Sequence, residues 1–255
     1  MRAGALRGCA DPADSGTARR AMHLHRDVRP RATQQCRMTL PTTAPHLRPV
    51  PLAKAYRLLN HGPTVLVTSA HGGRRNVMAA AWNMALDFDP PKVAVVIDKA
   101  THTRALVEAS GRFALNVPCR AQAAATLAVG QWSGRDVDST ADAPDKFALA
   151  GLDVWQPEVE GARDWPMVVG SVACLACRVI PEPHNQARYD LFLAEVVGAW
   201  ADERVFADGH WHYGDGTDPG LRTLHYVAGG AFFAIGESFE VPMPPALPGT
   251  SGKAG

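Results

Sequence analysis

Residues 63–84 read PTVLVTSAHGGRRNVMAAAWNM, and the fold turns on them. Pro63–Ala70 is rich in β-branched residues and reads as a strand. The pair Gly72–Gly73 supplies a turn, so the run that follows returns as the second arm of a hairpin. That arm, NVMAAAWNM (Asn76–Met84), is an unusual strand. Strands favour Val, Ile and aromatics, which fill a pleated, half-buried surface. Here the centre is three alanines, with an asparagine near each end and one tryptophan.

Working outward, Leu52–Leu59 has helical spacing and stops at Asn60-His61-Gly62-Pro63. Lys92–Asp98 (KVAVVID) is a continuous apolar strand. Thr101 and Thr103 then open a helix that closes at Gly111, since threonine is a good cap and glycine a good terminator. Phe113–Pro118 is a strand, and RAQAAATLAVG is a second helix ending at Gly130. Gln131–Pro166 is polar and loop-rich, with one strand-like piece, LDVWQP. Val168–Ile180 and Tyr189–Ala201 are the two longest strands, and PEPHNQAR between them reads as the turn of a long hairpin. Leu224–Glu237 is a shorter hairpin about Gly229–Gly230, with Phe232 and Phe233 on opposite faces. Short strands with hairpin connections and few helices indicate a mainly β protein, a closed antiparallel barrel with helical decoration. Helices between most strands, as a doubly wound sheet needs, are missing from the pattern.

Composition narrows the class. Hydrophobic residues make up 46% and charged residues 20% of the 255, enough for an ordinary core. A net charge of +1 gives no pull toward nucleic acid or an anionic membrane. No apolar run reaches the roughly 18 residues of a membrane span. Five scattered cysteines do not form a disulfide framework, which points to the cytoplasm. Residues 1–37 hold eight arginines against three aspartates and almost no aliphatic residues. Such a segment is expected to be disordered. It could mimic an organelle-targeting peptide, but its amphipathic pattern is poor, and an upstream extension of the reading frame before Met38 is the preferred reading. Residues 38–240 then form one domain, and the Pro/Gly-rich residues 241–255 a loose tail.

The most chemically loaded stretch is IDKATHTRAL (Ile97–Leu106). A strand ends at Asp98, Lys99 adds a positive charge, and Thr101, His102 and Thr103 enter a helix. Free N–H groups at a helix start, with hydroxyls and a lysine, suit an anion. A plain helix cap is the simpler use of the same residues.

In order, the chain carries Thr68, Asn76, Trp82, Pro90-Pro91, His102-Thr103 and Asn116-Val117-Pro118. With LFLAEVVGAWADE and YVAGGAFFAIGE further on, this series resembles the flavin reductase-like FMN-binding split barrels, the flavoredoxin type in particular, over about Pro51–Glu237. No motif alone carries the resemblance; their order and spacing do. It implies a six-stranded split barrel acting as a homodimer, with FMN in a groove near the subunit interface. Met78, Ala79, Ala80, Ala81 and Trp82 would then run beside the isoalloxazine, the alanines giving clearance for a flat ring. Lys99, Thr101, His102 and Thr103 would serve the ribityl chain and phosphate. Asn116 and Thr68 are weaker candidates, because each could instead satisfy a strand end. The family often has Ser or Thr where this chain has only alanine, so flavin contacts there fall to main-chain atoms. The implied activity is hydride transfer from NADH or NADPH to flavin, then electron delivery to an acceptor, a redox partner or an oxygenase. Flavin carries that chemistry itself, so no nucleophile–base pair is required. Two alternatives stand beside it: an FMN-binding electron carrier with no small-molecule substrate, and a split barrel that holds haem or another flat cofactor, or none.

Other constellations weigh less. Cys174 and Cys177 lie three apart and would face opposite sides of a strand, so packing is preferred to zinc or redox pairing. His210 and His212 share a face if extended, but lack a carboxylate at fixed spacing, and a surface or channel loop is the preferred reading. His184 and Asn185 belong to the expected turn. Tyr189, Asp190 and Glu195 are expected as exposed barrel positions. Trp132, Trp155, Trp165, Trp200 and Trp211 are expected in the core or an interface.

Overall fold

The chain begins its sheet with a short strand, β1 (Leu47–Pro49), then one helical turn and a half, α1 (Leu52–Ala55) running into a 3-10 turn at Tyr56–Leu58. β2 (Val65–His71) and β3 (Arg74–Ala80) follow as the expected hairpin, paired from Val65↔Ala80 to His71↔Arg74. Gly72 and Gly73 have φ of 58° and 80°, the left-handed pair that a two-residue turn between twisted strands demands. Next come β4 (Asn83–Phe88), β5 (Pro91–Val96), α2 (His102–Ser110) and β6 (Arg112–Val117). α3 (Ala123–Gln131), α4 (Gly134–Val137) and α5 (Lys146–Leu149) cover one flank. β7 (Val154–Trp155) pairs with β8 (Met167–Val168). The long strands β9 (Ala173–Ile180) and β10 (Leu191–Asp202) are joined through α6 (Pro183–Tyr189). β11 (Phe206–Ala207) pairs with β12 (His210–Trp211), and β13 (Leu224–Ala228) with β14 (Ala231–Ala234). This is a computed structural model, and it describes residues 40–42, 44–137 and 144–242. Residues 1–37 and nearly all of 241–255, for which disorder and a loose tail were expected, lie outside them.

The main sheet is antiparallel, in the order β3-β2-β6-β9-β10-β5-β4, with β1 added beside β10. The architecture is therefore mainly β with a few short helices, as expected. Two details differ. Eight strands contribute rather than six, because β1 is an addition and because Asn76–Met84 is not one strand but two, broken at Ala81–Trp82. Among the described residues, the sheet is also not closed by hydrogen bonds. Its two terminal strands, β3 and β4, are consecutive in the chain and are joined across the gap by Ala81 and Trp82 alone.

Packing explains the strand sequences. Val65 and Val67 of β2 face the main core with Val93, Val95, Leu115, Leu175 and Phe192. Leu66, between them, packs on the other face with Val77, Val129 and Phe147. A strand covered on both faces reads as a continuous apolar run, which is what PTVLV is. β9 obeys the same rule. Cys177 joins the first core and Cys174 a separate cluster with Trp155 and Trp165, so the two thiols do face opposite sides. Both are fully buried, and burial pushes both thiols far up from their ordinary range. No helix among the described residues is long and apolar enough to cross a membrane.

PEPHNQAR is not a turn. It forms α6, with Pro183 in its first turn and Asp190 ending it at φ 54°. Proline is pre-set for that first position, and a tertiary anchor holds the helix: Arg104 Nη2 donates to the Gln186 carbonyl at 2.7 Å. His184 and Asn185 are therefore helical. Tyr189 and Asp190 end α6 rather than lying on a strand, while Glu195 does lie on β10, 3.5 Å from Arg178.

Candidate functional site

The gap between the sheet's two ends holds a cavity of about 470 Å³. Its floor is the end of β3 and the link beyond it: Met78, Ala79, Ala80, Ala81 and Trp82. Facing these are Thr126, Leu127, Gly130 and Gln131 of α3. Tyr226 and Phe232, from the β13–β14 hairpin, form a third side, their rings edge-to-face at 5.3 Å. The far end is Val96, Asp98, Tyr189 and Asp190, with Thr64 beside them.

Each wall has a local reason. β3 terminates the sheet, so one of its margins carries no strand, and edge strands present backbone N–H and C=O groups on that side. Small side chains there leave the backbone approachable. α3 comes down close on the same strand: a methyl on Gly130 would sit 3.4 Å from Ala79 Cβ. The link between the sheet ends is tied at two points. Val96 donates its N–H to the Trp82 carbonyl at 3.0 Å, and Asn83 Nδ2 donates to the Pro63 carbonyl at 2.9 Å. The Trp82 ring is left 75% exposed. The hairpin is held at its base, where Thr64 donates its N–H to the Leu224 carbonyl and Tyr226 donates its own to Thr64 Oγ1, both at 2.8 Å.

The charged groups in the wall are Asp98 and Asp190. Asp190 accepts from Arg104 Nη1 at 2.5 Å, with Lys99 Nζ 3.8 Å away. Arg104 is nearly buried, and it also bonds the Ile97 carbonyl and Glu108. It thereby stitches the ends of β5 and α6 to α2.

The sequence candidates fall into three groups. Met78, Ala79, Ala80, Ala81 and Trp82 line the cavity together. Lys99 and Thr101 stand just beyond Asp98 at the start of α2; the Lys99 side chain is mostly exposed, whereas Thr101 Oγ1 donates to the Asp98 carbonyl and caps Arg104 N–H. His102, half-buried, begins α2 itself. The rest are engaged internally and do not line the cavity. Asn76 Nδ2 donates to Thr103 Oγ1 at 2.9 Å, and Gly134 packs so tightly on Asn76 that a Cβ would meet its side chain at 2.5 Å. Asn116 donates to the Leu66 carbonyl and Thr68 Oγ1, and accepts from Val168 N–H; Thr68 donates to the Pro166 carbonyl at 2.5 Å. These hydroxyls and amides lock β2, β3 and β6 to their neighbours.

Reading the sequence missed Arg104, the α3 wall and the Tyr226–Phe232 pair. The α3 wall did leave a trace: Thr126 is the lone hydroxyl in AAATLAVG. Of the declined groups, His210 sits 2.9 Å from Arg57 Nη1 and His212 3.2 Å from the Ala207 carbonyl. Trp155 and Trp165 are core residues, Trp200 and Trp211 are half-buried, and Trp132 is exposed.

Comparison with known proteins defines the class. The flavin reductase like domain model matches residues 57–221, and the chain belongs to that family. It is 44% identical to the uncharacterized protein YddH of Escherichia coli K12 over 74% of this chain and 95% of that one. It is also similar to an FMN-binding domain of a flavin reductases-like enzyme from Shewanella baltica OS155. That match has 52% identity and a TM-score of 0.71, covering 77% of this chain and 97% of the other. Flavoredoxin of Desulfovibrio vulgaris (Miyazaki F) superposes with a TM-score of 0.55 at 25% identity, over 70% and 89% of the two chains.

Proposed function

We propose that this protein is an FMN-dependent oxidoreductase of the flavin reductase and flavoredoxin type, taking electrons from NADH or NADPH. The observation that carries this reading is the cavity at the sheet gap. Its volume of about 470 Å³ lies in the ordinary range for cofactor pockets. Its floor is a small-residue edge strand, which suits a planar, hydrogen-bonding ring better than a bulky ligand. The FMN-binding relative from Shewanella baltica supports the cofactor assignment.

In this reading Ala79, Ala80 and Ala81 give clearance and their main chain meets the polar edge of the ring. Trp82 and Met78 flank it. Lys99 and the first-turn amides of α2 attract the phosphate, Lys99 because it is an exposed cation two residues before the Thr101 cap. The Thr101 cap and the Arg104–Asp190 pair hold that end of the site in place. FMN, when bound, supplies the hydride and electron chemistry, so the chain's task is to bind and orient it.

The working unit in this proposal is a homodimer in the cytoplasm. Trp82, just before β4, and Met84, Leu86 and Phe88 of β4 all have exposed side chains, an apolar ridge that begins at the cavity mouth. Large exposed apolar patches mark interaction surfaces, and a second copy seated on this ridge would cover Trp82. Delivery of electrons to a partner oxygenase, or to a substrate held in place, follows from the same reading.

The test is reconstitution with FMN followed by anaerobic titration with NADH and NADPH. A yellow protein bleached by one nicotinamide is the expected result. A protein that stays colourless after reconstitution would refute the reading, and a yellow one inert to both nicotinamides would reduce it to an electron carrier.

A further inference from the structure

Thr126 stands in the α3 wall of the cavity, 1% exposed, and its hydroxyl has no hydrogen-bond partner among the described residues. Both facts matter. A buried polar atom without a partner destabilises the fold, and native structures leave few of them. A helical threonine has a ready way out, since its hydroxyl can bond the carbonyl one turn back, yet this one does not. The side chains around it, those of Leu127 on the helix and of Ala79 and Ala80 on β3, carry no hydrogen-bonding group. Valine would fill the same space without the penalty. The other buried polar residues nearby, Thr68, Asn76, Thr103 and Asn116, are all hydrogen-bonded within the protein. Thr126 differs from them in bordering the cavity.

We infer that Thr126 is a specificity-determining residue whose hydroxyl pairs with a polar edge atom of the planar ring bound in the cavity. The inference rests on the flavin reading above and deepens it. The alanine floor offers the ring main-chain groups only, so a hydroxyl from the opposite wall is the side-chain hydrogen bond that the floor lacks. It selects a ring with hydrogen-bonding atoms on its rim over a purely hydrocarbon one. The unpaired hydroxyl is a standing cost to the empty protein that the ligand offsets on binding.

The geometry leads to an opposition of signs that a purely structural threonine would not show. Thr126→Val should leave the FMN-free protein as stable or more stable, with an equal or higher Tm. It should weaken FMN binding roughly five- to tenfold, the loss expected for one hydrogen bond. Riboflavin, which lacks the phosphate, should lose affinity by the same factor, and Thr126→Ser should restore most of it. Binding is read by quenching of flavin fluorescence and by the position of the visible bands. If the wild-type protein binds FMN and Thr126→Val binds it equally well, the inference is overturned and the flavin reading stands. A loss confined to FMN, with riboflavin unaffected, would put the contact at the phosphate end and overturn the ring assignment. A wild-type protein that binds neither flavin would sink both readings together.

Discussion

β2 and β4 belong to one sheet and are built on opposite logic. β2 is buried on both faces. Its buried polar side chains, Thr68 and Ser69, are hydrogen-bonded to the Pro166 and Arg112 carbonyls. β4 buries little: Met84, Leu86 and Phe88 are exposed, and Trp82 precedes them at 75% exposure. Between the two, at the gap, small residues and an unpaired hydroxyl surround a cavity. On the proposed function, the contrast separates residues kept for the fold from residues kept for something outside the chain. Where every group has an internal partner, nothing is left to bind a ligand. Where apolar area and a hydroxyl are left over, a ligand or a second subunit has a use for them.

Predictions follow from pressing on each side of that contrast. The largest effect belongs to the closed side. Arg104→Met removes the partner of the Asp190 carboxylate and three further hydrogen bonds. It should cost about 3–5 kcal/mol, the usual penalty for breaking a buried ion pair, measured by urea denaturation. Asn116→Leu strands Val168 N–H, while Thr68 keeps its bond to the Pro166 carbonyl, and should cost about 1–3 kcal/mol, the penalty for one buried orphan.

At the gap, stability should barely move while binding does. Trp82→Ala should weaken FMN roughly tenfold, in keeping with the loss of one aromatic contact worth about 1.5 kcal/mol, with Tm within a degree or two of wild type. Equal affinity would remove Trp82 from the ring contact. The double change Leu86→Ser with Phe88→Ser should alter monomer stability by less than about 1 kcal/mol, because both side chains already face solvent. It should nonetheless convert the proposed dimer to a monomer in sedimentation. A variant that stays dimeric would move the interface elsewhere.

His61 adds a pH dependence. It lies under the cavity hairpin, bonded through Nε2 to Thr223 and close to His225. Burial first, and the neighbouring His225 second, lower its pKa to about 4 from an ordinary 6.5. The folded state therefore resists protonation that the unfolded chain accepts. Its stabilising share is complete above pH 6.5, declines as pH falls toward 4, and changes no further below that. The slope should reach about 1.4 kcal/mol per pH unit, and His61→Phe should flatten it in denaturation curves taken at pH 5 and 7.

How much of this was legible beforehand varies by residue. The hairpin at Gly72–Gly73, the Thr101 cap and the Gly111 stop are local events, and local chemistry is what a sequence displays. The break at Ala81–Trp82 was not visible, because a sharp change of strand between two apolar residues leaves no Gly or Pro behind. α6 was misread because two prolines in PEPHNQAR suggest a turn, whereas its helix depends on Arg104, 82 residues away. For the site, the order of motifs pointed to Met78–Trp82, which do line the cavity. Thr68 and Asn116 carry the same polar chemistry but are spent on internal bonds. Side-chain type alone cannot show whether a partner already lies within reach.

The chain by itself therefore determined the strand periodicity, the caps and turns, and the small-residue floor, since each depends on neighbours within a few positions. Tertiary structure alone decided that the sheet's two ends meet at Ala81–Trp82, that α3 and the Tyr226–Phe232 hairpin complete the cavity, and that Thr126 is left unpaired there. Those outcomes depend on contacts between residues distant in sequence, and the free energy of such contacts is set by which surfaces the folded chain brings together.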